Sequence, residues 1–183
     1  MAFTSNTTYG TTAYNTGTFY DQSKLVANDG SSLSSATLAT QSELSIPLGG
    51  YERIIGIYTI WYDTDNTNEL SYRVANLAQS DGSTAVATTI ATQSIASVAE
   101  ITSGATPSAA GLESTGTYST NGAGITVGVD VGADTSALWL QVHFNALSTA
   151  ATKGNIVFQA ANITGSASGT HLLAGSHVVY KKF

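Results

Sequence analysis

The chain has 183 residues, no Cys and 2 Pro, and its 6 Lys and Arg against 12 Asp and Glu leave a formal net charge of −6. Without Cys there is neither a disulfide framework nor a thiolate metal site. The acidic balance argues against a genome-binding protein, whose phosphate contacts need clustered Lys and Arg, and no apolar run approaches the roughly 18 residues of a membrane helix, so neither nucleic acid nor membrane is an expected partner.

Ala, Gly, Ser and Thr make up half the chain, and only 10% of residues are charged, against about 25% in ordinary soluble domains. The start, Met1-Ala2-Phe3-Thr4-Ser5, lacks a basic stretch followed by an apolar one, so no secretory leader is expected. A hydrophobic content of 42% is that of a folded chain rather than a disordered one.

Residues 1–40 stand apart. Their only charges are Asp21, Lys24 and Asp29, and Phe3, Tyr9, Tyr14, Phe19 and Tyr20 punctuate a Thr/Ser/Asn/Gly background with no sustained period. This pattern predicts an extended N-terminal arm whose aromatics dock onto a partner. Residues 41–183 are expected to form one domain.

From residue 42 onward the pattern is one strand after another. Residues 51–62 (YERIIGIYTIWY) are β-branched and aromatic. The polar stretch 63–68 and the resumed run 70–77 predict a hairpin. A short strand is expected over 84–90, strand or helix over 91–101, and a long loop over 103–114, which carries Gly104, Pro107 and Gly111.

Alternation is cleaner in the second half. Ile125, Val127, Val129 and Val131 alternate with polar residues; Leu138, Leu140, Val142 and Phe144 alternate with Trp139, Gln141, His143 and Asn145; Ile156, Phe158 and Ala160 alternate with Asn155, Val157 and Gln159. Period-2 patterning sends one set inward and the other outward. About eight strands with no crossover helices predict an all-β fold, an antiparallel sandwich of jelly-roll type.

Residues 51–62 are apolar on both faces, with Ile55, Ile57 and Trp61 on one and Ile54, Tyr58, Ile60 and Tyr62 on the other. A sandwich strand normally leaves one face to water, and Trp139 poses the same difficulty on its own strand. The cover can be the N-terminal arm, a subunit interface or a long loop such as 103–114; aromatic, charge-poor surface suits an interface, so Tyr58, Trp61, Tyr62 and Trp139 are expected at contacts of a homo-oligomer.

Little chemistry is written into the chain. His143, His171 and His177 have no G-x-S-x-G partner, there is no phosphate-binding Gly loop, and Glu52, Glu100, Glu113 and Asp130 sit in no distinctive context. The pattern predicts no enzyme and no cofactor. Asp63, Asp65 and Glu69 form a weak Ca²⁺ candidate, alternate oxygen ligands in a turn without the Gly and distal Glu of an EF-hand.

Gly154-Asn155-Ile156-Val157-Phe158-Gln159-Ala160-Ala161-Asn162, a polar turn, Leu173-Ala174-Gly175-Ser176 and a last strand ending in Lys181-Lys182-Phe183 resemble the closing hairpin of tailed-bacteriophage virion proteins. These are small jelly-roll proteins of the capsid decoration (cement) and head-fibre kind. The resemblance implies a homotrimer on the outside of an icosahedral head, bridging major capsid protein subunits against the pressure of packaged DNA. The alternative from the residues themselves is a carbohydrate- or receptor-binding module of a phage fibre, with Trp61, Trp139 and Tyr118 stacking on sugars.

Overall fold

The computed structural model describes residues 22–28, 30, 33–63, 70–96, 100–102, 113–124, 126–130, 138–162 and 170–183. Its strands in chain order are β1 (Gln22–Leu25), β2 (Ala39–Thr40), β3 (Ile46–Leu48), β4 (Arg53–Asp63), β5 (Leu70–Ala78), β6 (Thr88–Ala96), β7 (Glu100–Thr102), β8 (Glu113–Ser119), β9 (Val127–Asp130), β10 (Leu138–Ser148), β11 (Gly154–Asn162), β12 (His171–Leu172) and β13 (His177–Lys182). One 3-10 turn, Ser42–Leu44, precedes β3, and the described residues include no α-helix.

Two antiparallel sheets pack face to face as an all-β sandwich. The seven-stranded sheet runs β1-β13-β4-β10-β6-β8 with β12 also on β4; the six-stranded sheet runs β2-β11-β5-β9-β7 with β3 also on β11. From β4 to β12 the chain alternates between the sheets, and its two halves pair in nested fashion. β4 pairs with β13, β5 with β11, β6 with β10 and β7 with β9.

The core lies between the sheets and is built by the alternation already visible in the sequence. Ile54, Tyr58, Ile60 and Tyr62 of β4 and Leu140, Val142 and Phe144 of β10 face Tyr72 and Val74 of β5 and Ile156 and Phe158 of β11. Four rings bridge the layers: Tyr58 stacks on Phe144 at 5.0 Å and meets Phe158 at 5.4 Å, and Phe158 stacks on Tyr72 at 5.6 Å. Each such pair adds about 0.5–1.5 kcal/mol beyond the area it buries. Two of the tyrosine hydroxyls in this core are hydrogen-bonded, Tyr58 donating to the Leu44 carbonyl at 3.3 Å and Tyr72 pairing with the Ser94 hydroxyl. Burial pushes both phenols up from their ordinary titration range.

Four expectations are corrected. The hairpin predicted across residues 63–69 does not form, because both edges of β4 are taken by β13 and β10 while β5 belongs to the other sheet. The closing hairpin fails for the same reason, β11 and β13 lying in opposite sheets. Residues 84–87 carry only an isolated bridge, Ala85 to Leu77, and the strand begins at Thr88. Val157 and Gln159, expected on the outside, are buried, because β5 and β11 are covered on both faces and Val157 packs with Ala75 and Leu77.

The arm divides. Residues 22–25 form β1 against β13 of the same chain. Val26 is buried in the core, and β2 adds to β11. Lys24 donates to the Ser45 carbonyl, tying β1 to the 3-10 turn. Phe3, Tyr9, Tyr14, Phe19 and Tyr20 lie outside the described residues, as do 103–112, Ile125 and Val131.

Candidate functional site

The outer face of the seven-stranded sheet is where apolar side chains remain uncovered. Alternation along β4 turns Arg53, Ile55, Ile57, Thr59, Trp61 and Asp63 outward. Neighbouring strands add His177, Val179 and Lys181 from β13, and Trp139, Gln141, His143, Asn145 and Leu147 from β10. The register lines these up in rows, Val179-Ile57-His143-Gln93 and Lys181-Ile55-Asn145-Ala91.

Trp61 and Trp139 form a cross-strand pair at one end of this face. The Trp61 amide is hydrogen-bonded to the Ser176 hydroxyl at 2.9 Å, and its carbonyl accepts from the Leu173 amide at 2.8 Å. Both groups point towards the β12–β13 side, so Trp61 and Trp139 meet as a non-hydrogen-bonded pair, the geometry that brings side chains closest. Trp61 is 37% exposed even so.

An open groove of about 280 Å³ lies further along the face, lined by Ile55, Gly56, Ala91, Gln93, His143 and Asn145. The Arg53 guanidinium donates to the Asn145 side-chain carbonyl at 3.0 Å and fixes that amide's orientation. Tyr118 of β8 stands beside Ala91 at the groove's far side and is 59% exposed.

The expected interface residues separate by strand period. Trp61 and Trp139 are on the outer face, but Tyr58 and Tyr62 are fully buried in the core and have no surface to offer a partner. The reason is geometric: positions 58 and 62 share parity with Ile54 and Ile60, while 61 does not.

Asp63 is engaged as well. Its Oδ1 accepts from the His171 amide at 3.1 Å and pairs with His171 Nδ1 at 2.8 Å, pinning β12 to the end of β4. The expected Ca²⁺ ligands Asp65 and Glu69 lie outside the described residues, and among the described residues no group of three His, Asp or Glu could hold a metal ion. No local sequence signal marks the Asp63–His171 pair, whose members are 108 positions apart. The grouping of Gln93, His143 and Asn145 is equally hidden, because it depends on which strands are neighbours.

Among the described residues the charges of this face are Arg53 and Lys181 at one end and Asp63 at the other, with amides, the imidazoles of His143 and His177 and aliphatic side chains between them. Compared with models of known protein families and with curated proteins, the chain finds no match.

Proposed function

We propose that this chain is a structural virion protein, a decoration (cement) protein that sits as a homotrimer on the outside of an icosahedral phage head and stabilises contacts between major capsid subunits. One observation carries the reading: the outer face of the seven-stranded sheet presents Ile55, Ile57, Val179 and the Trp61–Trp139 pair, with charge confined to its ends. That is the composition of an interface core, depleted of charge and rich in Trp. The nested pairing of the two halves of the chain supports the jelly-roll form of the sandwich. Repetition over many copies on a shell turns modest contacts into large collective stabilisation. Purified protein added to undecorated heads is expected to bind them and raise their resistance to heat or chelator. Absence of binding, with resistance unchanged, would overturn the assignment.

A second reading rests on the same face. Trp61, Trp139 and Tyr118 share it with Gln93, His143 and Asn145, and rings flanking amides are the chemistry that recognises sugars. Specific glycan binding, lost in Tyr118→Ala, would favour a fibre-type recognition module over a shell contact.

A further inference from the structure

One hydrogen bond sets the polarity of the groove on the outer face. A guanidinium carries donors only, so the contact of Arg53 Nε with Asn145 at 3.0 Å commits the amide oxygen to Arg53. What Asn145 can offer a ligand is then its NH2 group, a donor. Among the described residues no acceptor meets that NH2 or the terminal nitrogens of Arg53, and the His143 imidazole has no partner. The neighbouring carboxylates are turned elsewhere: Glu52 Oε2 accepts from the Gly49 amide at 2.7 Å, and Asp63, at the far end of the face, pairs with His171.

The register places a ring in line with these donors. Tyr118, Ala91, Asn145, Ile55 and Lys181 stand opposite one another in turn across β8, β6, β10, β4 and β13. The small Ala91 lies between the exposed Tyr118 and Asn145, and the groove of about 280 Å³ opens there. Tyr118 and Asn145 are two strand spacings apart, about 10 Å, a span that a pair of linked pyranose rings fills. The chain as a whole carries a net charge of −6, yet two of its six Lys and Arg stand at this end of one face. An anionic ligand is drawn to that end and to no other part of the face.

We infer that this groove binds an acidic saccharide, with a sugar carboxylate held by Arg53 and Asn145 and a neighbouring sugar ring stacked on Tyr118. The inference rests on the recognition reading of this face and gives it a ligand class. A carboxylate accepts two parallel N–H bonds from a guanidinium, and such charge-assisted bonds are about twice as strong as neutral ones. A carboxylate on a protein side chain would meet these donors alone. A saccharide also sets an apolar ring face on Tyr118 and a hydroxyl on the His143 imidazole, so it matches both ends of the groove.

The test titrates the full chain with hexuronic acid oligosaccharides and with the same oligosaccharides reduced from carboxylate to alcohol, followed by NMR. The acid form is expected to move the Asn145 side-chain NH2 and His143 ring signals of the wild type, a readout that needs no variant. It should bind at least about tenfold more tightly than the reduced form. Arg53→Gln, at an exposed position whose backbone pairing with Phe183 is kept, should erase that preference, and Tyr118→Ala should weaken both forms. Equal affinity for the two forms, binding of neutral glycans alone, or a preference that survives Arg53→Gln overturns the inference and leaves the recognition reading standing. Failure of acidic, reduced and neutral glycans alike to bind overturns both. Tighter binding of a Glu-rich peptide than of the hexuronate also overturns it, by assigning the donors to an acidic protein surface.

Discussion

Gly56 stands directly opposite Phe144 across the β4–β10 pair, and the Phe144 ring lies over it so closely that a Cβ at position 56 would come within 2.6 Å of its Cζ. The same Cβ would sit 2.7 Å from the Val179 carbonyl oxygen of β13. An aromatic ring folded over a cross-strand glycine fills the space a side chain would take. Gly56→Ala must therefore displace both a core ring and a backbone carbonyl. It is expected to destabilise the fold by about 1–3 kcal/mol, read as a lower denaturant midpoint with an unchanged slope. Gly56→Ala combined with Phe144→Leu should recover part of that loss.

Phe158 is the ring common to both layers, touching Tyr58 of one sheet and Tyr72 of the other. Phe158→Ala removes both contacts and leaves a cavity at the centre of the core, at an expected cost of about 3–5 kcal/mol. Chemical denaturation checks it, and a loss below about 1 kcal/mol, the range of a surface substitution, would mean that Phe158 does not fill the core.

Asp81 organises the turn after β5. Its Oδ1 accepts from the Ser83 amide at 2.8 Å and the Thr84 amide at 2.9 Å, and its Oδ2 from the Thr84 hydroxyl at 2.5 Å. These hydrogen bonds, that from the Thr84 hydroxyl foremost, hold its carboxyl well below the ordinary 3.8, at about 2. A carboxyl whose value is lower in the folded chain stabilises it above the unfolded value and loses that contribution as pH falls. Wild type should therefore lose stability more steeply than Asp81→Asn between about pH 4 and pH 2, as followed by thermal melts across that window.

β1, Val26 and β2 belong to the sandwich. A chain beginning at Gln41 lacks β1, β2 and the buried Val26 that a chain beginning at Gln22 retains. The shorter chain should be less stable by at least about 2 kcal/mol, the contribution of burying one Val side chain. Equal denaturant midpoints would show that β1 and β2 contribute nothing.

How legible these features were depends on the range of the interaction that creates them. The inward sets of β4 and β10 follow from alternation alone, because parity is a local property, and Trp61 and Trp139 could be placed outside on that basis. Tyr58 and Tyr62 have the opposite parity to Trp61 and are buried, so aromatic content without parity does not mark a surface. β1 and β2 gave no signal, since four and two residues are too short to display a period. The supposed hairpin at 63–69 illustrates a different limit: a polar turn between two strands fits a crossing between sheets as well as a hairpin. Only the partners of β4, fixed by β10 and β13 far along the chain, decide between them.

The nested pairing has a consequence for how the molecule comes into being. β4 emerges early in synthesis, yet one of its two flanking strands is β13, more than a hundred residues downstream. Closing such long loops before their contacts repay the entropy makes folding slow. The nascent polypeptide must wait with an edge of this eleven-residue strand bare, a state prone to clumping. A chain so arranged should refold in milliseconds to seconds rather than microseconds, and should yield best where it is made slowly or kept cool and dilute.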